Sequence, residues 1–483
     1  MKRWGIHGAL VGVFVFSSYG IAQQPQPADL EQLKAKLQQL EQMMNDLKQQ
    51  IANVENAPSS PSAPVVNPTP PPAQPPPPQM PTDYIGDLTR KREVANDDTE
   101  SAPQINNEEV DPSLRGYFRL PGTGTMIKFS GFVKTDLFVD TNMAGSYYGA
   151  YVPSSFPSSS QPHTVNSTVS MRSSRFATEF LQPLGTGDDD TVKVYLEYDF
   201  LGNYDRNSLR LRQFYAQYKN LLVGQSWSAF SDPDAFPDTL EFEGPPGIIG
   251  LRQPMIRYMH PVDKENSFGV SVEKSGTDTP FSTQFGVPVG SSLRPDLIGF
   301  YRYENPHGHL YFAGISRSVG GVIPNSTVPD LKNHVEGYGG QLSGVWGTTN
   351  NNVVFQVVLG KGISNYYNDN FGLGTDVGFA ANGKLVATPT GSGEIGYQHH
   401  WTKMIRSTFS YGYLQINDTA GDPGTTYHIS HYATGNIIVQ PNIAYLFGAE
   451  YVYGSLERKD GFKWVAPRIQ ASFTYYINKY PKE

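Results

Sequence analysis

Apolar residues recur at alternating steps of three and four from Leu30 to Val54, and at steps of two from about residue 125 onward; no period joins the two stretches. The first run, Leu30, Leu33, Leu37, Leu40, Met44, Leu47, Ile51 and Val54, is a heptad seam with Gln, Lys and Glu between, and it predicts a coiled-coil helix over 29–56. An isolated helix with one apolar stripe needs partners to bury it, so the seam points to self-association. Leu and Met at one seam position leave two strands or three open. Residues 57–115 read as a linker. Its proline-rich part, 57–82, lacks the backbone donors to fold and reaches on the order of 80 Å as polyproline II.

In the second stretch the alternation assigns one apolar and one polar face to each segment. Within 126–140, Ile127, Phe129, Gly131, Val133, Leu137 and Val139 share one face, and Lys128, Ser130, Lys134, Asp136 and Asp140 the other. In the last segment Ile469, Ala471, Phe473, Tyr475 and Ile477 oppose Gln470, Ser472, Thr474 and Asn478. Strands are expected near 126–140, 168–182, 191–201, 208–218, 221–227, 252–261, 266–274, 295–305, 307–318, 334–346, 352–362, 394–402, 404–416, 427–440, 442–456 and 463–477. Junctions such as Lys219-Asn220, Asn305-Pro306, Thr402-Lys403 and Gln440-Pro441 are short. Others, near 141–167, 228–250, 275–293 and 363–393, are long and rich in Ser, Gly, Asn and Pro. Short turns on one rim and long loops on the other describe an all-β fold, a 16-stranded antiparallel transmembrane β-barrel over 116–483. An even strand number puts both ends on one rim, the periplasmic one, and the coiled coil with them.

Composition narrows the class. Lys2 and Arg3, the apolar stretch Ala9–Phe16 and the small residues Gly20-Ile21-Ala22 form a cleavable secretory signal over 1–22; its loss takes the net charge from -8 to -10. The exported chain has no Cys, so no disulfide holds it. No run approaches the ~18 apolar residues of a membrane helix, a test that alternating strands never meet. Aromatics such as Tyr195, Tyr198, Tyr215, Tyr301, Tyr451, Tyr475 and Tyr476 fall near strand ends, where interfacial girdles are expected.

About sixteen strands leave a water-filled interior, so function follows from the charges that face it. With the apolar face toward lipid, Lys134, Arg175, Glu179, Arg257, Arg302, Glu304 and Arg406 face the lumen. Arg210 and Arg212 join them if Leu209 and Leu211 point outward, and Phe214 then requires a bulge or a protomer contact. The segment 226–250 mixes Trp227, Phe230, Phe236 and Phe242 with Asp232, Asp234, Asp238, Glu241 and Glu243, stiffened by Pro233, Pro237, Pro245 and Pro246. Such a loop is expected to fold into the barrel and set acids opposite the arginines, giving a constriction with a transverse field.

The runs Gly131-Phe132-Val133-Lys134-Thr135-Asp136, Leu209-Arg210-Leu211-Arg212-Gln213-Phe214-Tyr215-Ala216, Gly224-Gln225-Ser226-Trp227-Ser228-Ala229-Phe230 and Arg294-Pro295-Asp296-Leu297-Ile298-Gly299-Phe300-Tyr301-Arg302-Tyr303 resemble the DcaP-like porins. The resemblance implies a homotrimer of outer-membrane barrels that passes small anionic solutes, dicarboxylates among them. It places Arg210, Arg212 and the loop after Trp227 at the constriction. Outer-membrane lipid is a further expected partner, and peptidoglycan a candidate partner of the coiled coil. The chain departs from many such barrels in ending Tyr480-Pro481-Lys482-Glu483 instead of on an aromatic.

Other classes find less support. Gly378–Lys384 has phosphate-loop spacing, but Leu385 stands where a Ser or Thr would hold magnesium. Adjacent His399 and His400 cannot share a metal on a strand, and His307 and His309 flank Gly308 at an expected turn, where exposed His is usual. No cofactor, metal or nucleic-acid partner is expected. A lipid hydrolase would need a Ser, His and Asp or Asn constellation that no spacing singles out. An adhesin or envelope spacer would not devote most of its chain to the barrel.

Overall fold

The two-residue alternation is one sheet that closes on itself. The computed structural model describes residues 116–477 apart from 146–149, 158–159, 186–189, 203–206, 280–288, 323–332 and 349; the expected signal, coiled coil and linker lie outside the described residues. Sixteen strands make the wall: β1 (Met126–Asp140), β2 (Arg175–Pro183), β3 (Thr191–Asp199), β4 (Arg210–Tyr218), β5 (Leu221–Trp227), β6 (Arg252–Pro261), β7 (Asn266–Glu273), β8 (Asp296–Asn305), β9 (Gly308–Val322), β10 (Asn333–Gly347), β11 (Asn351–Lys361), β12 (Pro389–His400), β13 (Ile405–Ile416), β14 (Tyr427–Asn442), β15 (Tyr445–Arg458) and β16 (Arg468–Ile477). Each pairs antiparallel with its neighbours along the chain, and β16 returns to β1 in register from Gly131 opposite Ile477 to Asp140 opposite Arg468. Closure removes the free edges an open sheet of this size would expose.

The wall is apolar outside and polar inside. On β16 Ile469, Phe473 and Tyr475 are exposed, whereas Arg468, Gln470, Ser472 and Thr474 are buried. A charged side chain on a lipid-facing wall costs roughly 2–4 kcal/mol at mid-membrane, which explains the sorting. Three of the expected girdle tyrosines are corrected: Tyr195, Tyr215 and Tyr476 are buried on the inner side, Tyr195 and Tyr215 with ring centroids 5.6 Å apart. Tyr195 and Tyr215 share the parity of the inward Glu197 and Gln213 on their strands, and Tyr476 that of Thr474; nearness to a strand end does not decide a face.

Departures from the expected strands have local causes. The segment expected over 168–182 is two pieces, Asn166–Ser170 beside the upper part of β1 and β2 beside its lower part. Ser174 bridges the gap: its Oγ accepts from Lys134 N (2.9 Å) and donates to Lys134 O (3.1 Å) in place of ladder bonds. The last strand starts at Arg468 instead of 463, after Pro467, which has no N–H for the ladder. The turn expected at Gln440-Pro441 lies at 443–444, where Asn442 Oδ1 accepts from Ala444 N (2.8 Å). Long connections, 141–174, 228–251, 274–295 and 362–388, share the rim opposite the short turns and the described chain ends.

Phe214 does mark a bulge. Glu197 pairs with Gln213 and Tyr198 with Leu211, so Arg212 has no ladder partner; Arg212 and Gln213 are both buried inward, while Phe214 is exposed.

Candidate functional site

The connection from Ser228 to Leu251 runs inside the barrel. Phe230, Phe236, Leu240, Ile248 and Ile249 are buried in it, with Trp227 at the end of β5 packed against Phe236 and Ile248, so its aromatics have a core to occupy. A buried loop must still satisfy its backbone polar groups without water. Wall side chains do this: Tyr311 OH donates to Ala229 O (2.7 Å), Gln356 Oε1 accepts from Ile249 N (2.8 Å), Ser392 Oγ donates to Gly247 O (2.8 Å), Asn436 Nδ2 to Asp238 O (2.8 Å), and Lys134 Nζ and Gln470 Nε2 to Leu240 O (2.5 and 3.0 Å). These anchors come from β9 round through β16 to β1.

The acids of the loop are anchors too, and this corrects the expected field. Asp234 meets Arg302 Nη1 at 2.8 Å, Asp238 meets Arg406 Nε at 2.5 Å, and Asp232 binds His309 Nε2 (3.0 Å) and Ser343 Oγ (2.7 Å). Glu241 accepts from the backbone N–H groups of Tyr151, Glu243 and Gly244. Glu243 is half-buried beside it. Four of the five loop acids are thus engaged with their own wall or their own backbone; they do not stand as free charges opposite β2–β4. Arg302 and Arg406, expected as lumen cations, are the loop's counter-ions.

The opposite wall keeps positive charge. Arg210 binds Asp199 through two contacts (3.0 and 2.7 Å), and Arg212 binds Glu197 (2.6 Å) and Asp199 (3.0 Å). Both guanidiniums lie over the Phe242 ring, 5.7 and 5.4 Å from its centroid. Arg175 is buried with its Nε 3.7 Å from Glu197, and all three of its guanidinium nitrogens lack a hydrogen-bond partner. Its main chain is placed by Gly131, whose φ of +132° only glycine adopts readily; a Cβ there would stand 2.2 Å from Arg175 O. Arg252, which the sequence analysis missed, acts on the same group of charges and stacks 4.2 Å over Trp227. Pro254, Ile256 and Tyr258 point outward on its strand, so alternation alone puts Arg252 outside, with its ladder partner Trp227; the packing of Trp227 on Phe236 and Ile248 of the inner loop draws the pair within. Arg257 and Lys134 complete the inward basic residues expected from the sequence, both buried.

One cluster among the described residues has metal-like spacing. Ligand atoms of Asp232, Asp234 and His309 lie within 4.8 Å of one another. Arg302 already supplies a cation there, 2.8 Å from Asp234 and 3.7 Å from Asp232, so the residues form an ion-pair anchor. His309 is buried on β9, not exposed at a turn as expected. Gly378 and Phe379 lie in a small hairpin, Val377–Phe379 with Leu385–Ala387, and no helix follows to hold a phosphate.

Above the loop, at the long-loop rim, Asp369 ties three segments. It accepts from Ser154 N (2.8 Å) and Tyr427 OH (3.1 Å), and burial pushes its carboxyl up to about 7 against the pull of those bonds.

The model of the DcaP outer membrane protein family matches residues 119–474. The chain belongs to that family. It is therefore an outer-membrane β-barrel channel of porin type. The crystal structure of the outer membrane channel DcaP of Acinetobacter baumannii superposes with a TM-score of 0.64 at 22% identity, covering 74% of this chain and 99% of that one. The anion-selective porin from Comamonas acidovorans gives 0.51 at 9% identity, over 73% of this chain and 100% of the other. A comparison with curated proteins finds no match.

Proposed function

We propose that this DcaP-family barrel is a homotrimeric porin for passive diffusion of small anionic solutes of the dicarboxylate kind. The observation that carries the reading is the charge balance around Phe242 and Trp227: Arg175, Arg210, Arg212 and Arg252 against Glu197 and Asp199. Guanidinium is always charged and its planar fork matches a carboxylate, so a surplus of it in a narrow passage favours anions. Of the loop acids, Asp232, Asp234 and Asp238 are held by Arg302, Arg406 and His309 on the other side and Glu241 by backbone N–H groups, which leaves Glu243 alone against the surplus. The Comamonas neighbour, described as anion-selective, is consistent with this reading but too dissimilar in sequence to lend more than its fold.

The reading extends to the chain ahead of the barrel: a signal over 1–22, a periplasmic coiled coil over 29–56 that joins the protomers, and a linker over 57–115 able to reach toward peptidoglycan.

Planar-bilayer recording of the purified full chain tests the proposal. Stepwise openings in triplets and a reversal potential of anionic sign in a salt gradient are expected. A cationic reversal potential overturns the anion assignment, and an absence of channels overturns the porin.

A further inference from the structure

The arginines at the Phe242 wall are not equivalent. Arg210 and Arg212 are matched by Asp199 and Glu197, two guanidiniums against two carboxylates with every contact at 3.0 Å or less. That quartet is close to neutral to a passing solute. The surplus resides in Arg175 and Arg252. Arg175 is sealed at 2% exposure. Arg252 is only half-buried and has no hydrogen bond or ion pair among the described residues.

What holds Arg252 is a ring. Its guanidinium lies 4.2 Å from the Trp227 centroid, and Trp227 is itself fixed edge-on to Phe236 (5.8 Å) and packed with Ile248, both in the inner loop. Stacking on an aromatic face restrains a guanidinium without neutralising it, and leaves its N–H edge free to donate. Trp227 Nε1, on the ring that carries Arg252, is a further donor without a protein acceptor.

The geometry points to Arg252 as the residue that sets the anion preference of the channel, with Trp227 as its positioning residue. This rests on the anion-channel reading above, but moves the decisive charge from the Arg210 and Arg212 pair expected from the sequence to a residue that the pattern hid. The solute recognised is one with a carboxylate or comparable planar oxyanion, which the fork of Arg252 meets edge-on.

The test is the reversal potential of the full-length protein in a potassium chloride gradient, and again with potassium succinate, for wild type, R252Q, R252K, R210Q, W227L and W227F. Retained resistance to SDS at room temperature identifies folded variants. R252Q is expected to lower the anion-to-cation permeability ratio several-fold and more than R210Q does. R252K keeps the chloride preference but loses part of the preference for succinate. W227L falls between wild type and R252Q, and W227F, which keeps a ring, stays near wild type. An anion-selective wild type whose R252Q variant keeps the ratio while R210Q loses it overturns this inference alone. Equal ratios in W227L and wild type overturn the positioning role. A cation-selective wild type removes the parent reading and this one together.

Discussion

The wall from β8 to β15 and the wall from β2 to β6 use their arginines in opposite ways. On the first, Arg302 and Arg406 find Asp234 and Asp238 in the inner loop and serve as clamps. On the second, Phe242 and Trp227 from or beside that loop lie against arginines as rings, so the guanidiniums are restrained while the surplus charge survives. One loop therefore silences the charge on one side and preserves it on the other. The lesson is that counting inward arginines does not give selectivity; what each arginine touches decides whether its charge reaches the solute.

The largest effect that this comparison predicts is on the clamped side. Arg302→Gln leaves Asp232 and Asp234 with less compensation in a buried place, and breaking such a pair typically costs about 3–5 kcal/mol. The variant should unfold at clearly lower urea concentration, with noisier single-channel currents as the loop loosens. Its anion preference should change less than that of Arg252→Gln. If Arg302→Gln instead abolished the preference at unchanged stability, the two walls would not be divided as described.

The rim above the loop supplies a pH dependence. Asp369 has its carboxyl raised by burial, so the sign is that of a group whose proton is favoured by folding: its stabilisation is complete below the ordinary carboxylate value and is lost as pH rises through about 7. The loss is at most roughly 4 kcal/mol, from about three pKa units at 1.36 kcal/mol each. Heat unfolding between pH 4 and 8.5 should show resistance decreasing up to about pH 7 and level above it in wild type, and a flatter profile in Asp369→Asn. A wild-type profile that rises with pH would contradict the assignment.

Much of this was legible beforehand, and the misses share a cause. Alternation identified the sixteen strands because one face meets lipid and the other water; of the arginines and lysine it set inward, Lys134, Arg175, Arg257 and Arg406 are buried and Arg302 meets Asp234 of the inner loop. Prolines and aromatics in 226–250 pointed to the inner loop. Partnerships were not legible, since they depend on which wall the loop meets: Asp232 with His309, Asp238 with Arg406, Trp227 with Arg252. Arg252 defeated parity because it stands at the mouth of β6, where the loop and not the pleat sets the direction.

A smaller effect comes from the backbone on the charged side. Gly131→Ala puts a methyl 2.2 Å from Arg175 O at a φ of +132°, a strain of about 1–3 kcal/mol. The β1 and β2 ladder must shift to relieve it, and Arg175 with it. A modest loss of stability together with an altered permeability ratio is expected in bilayer recordings; stability lost with the ratio intact would show that Arg175 does not contribute to the surplus charge.

The smallest predicted effect isolates the seam between the two pieces that pair with β1. Ser174 Oγ takes one bond and gives one to Lys134 where the ladder is interrupted, and Ser174 is 1% exposed. Ser174→Ala removes that bridge, leaving the buried N–H and C=O of Lys134 without it, a cost of about 1–3 kcal/mol reduced toward 1 if water enters from the lumen. Ser174→Thr keeps the hydroxyl and should recover the loss if its extra methyl is accommodated. Neither substitution alters a charge, so both should leave the reversal potential at the wild-type value while Ser174→Ala alone lowers the unfolding midpoint. A shifted reversal potential in Ser174→Ala would mean that the break in the ladder, and not only the rings, positions the charged wall, since Lys134 and the neighbouring Arg175 hang on the same stretch of β1 and β2.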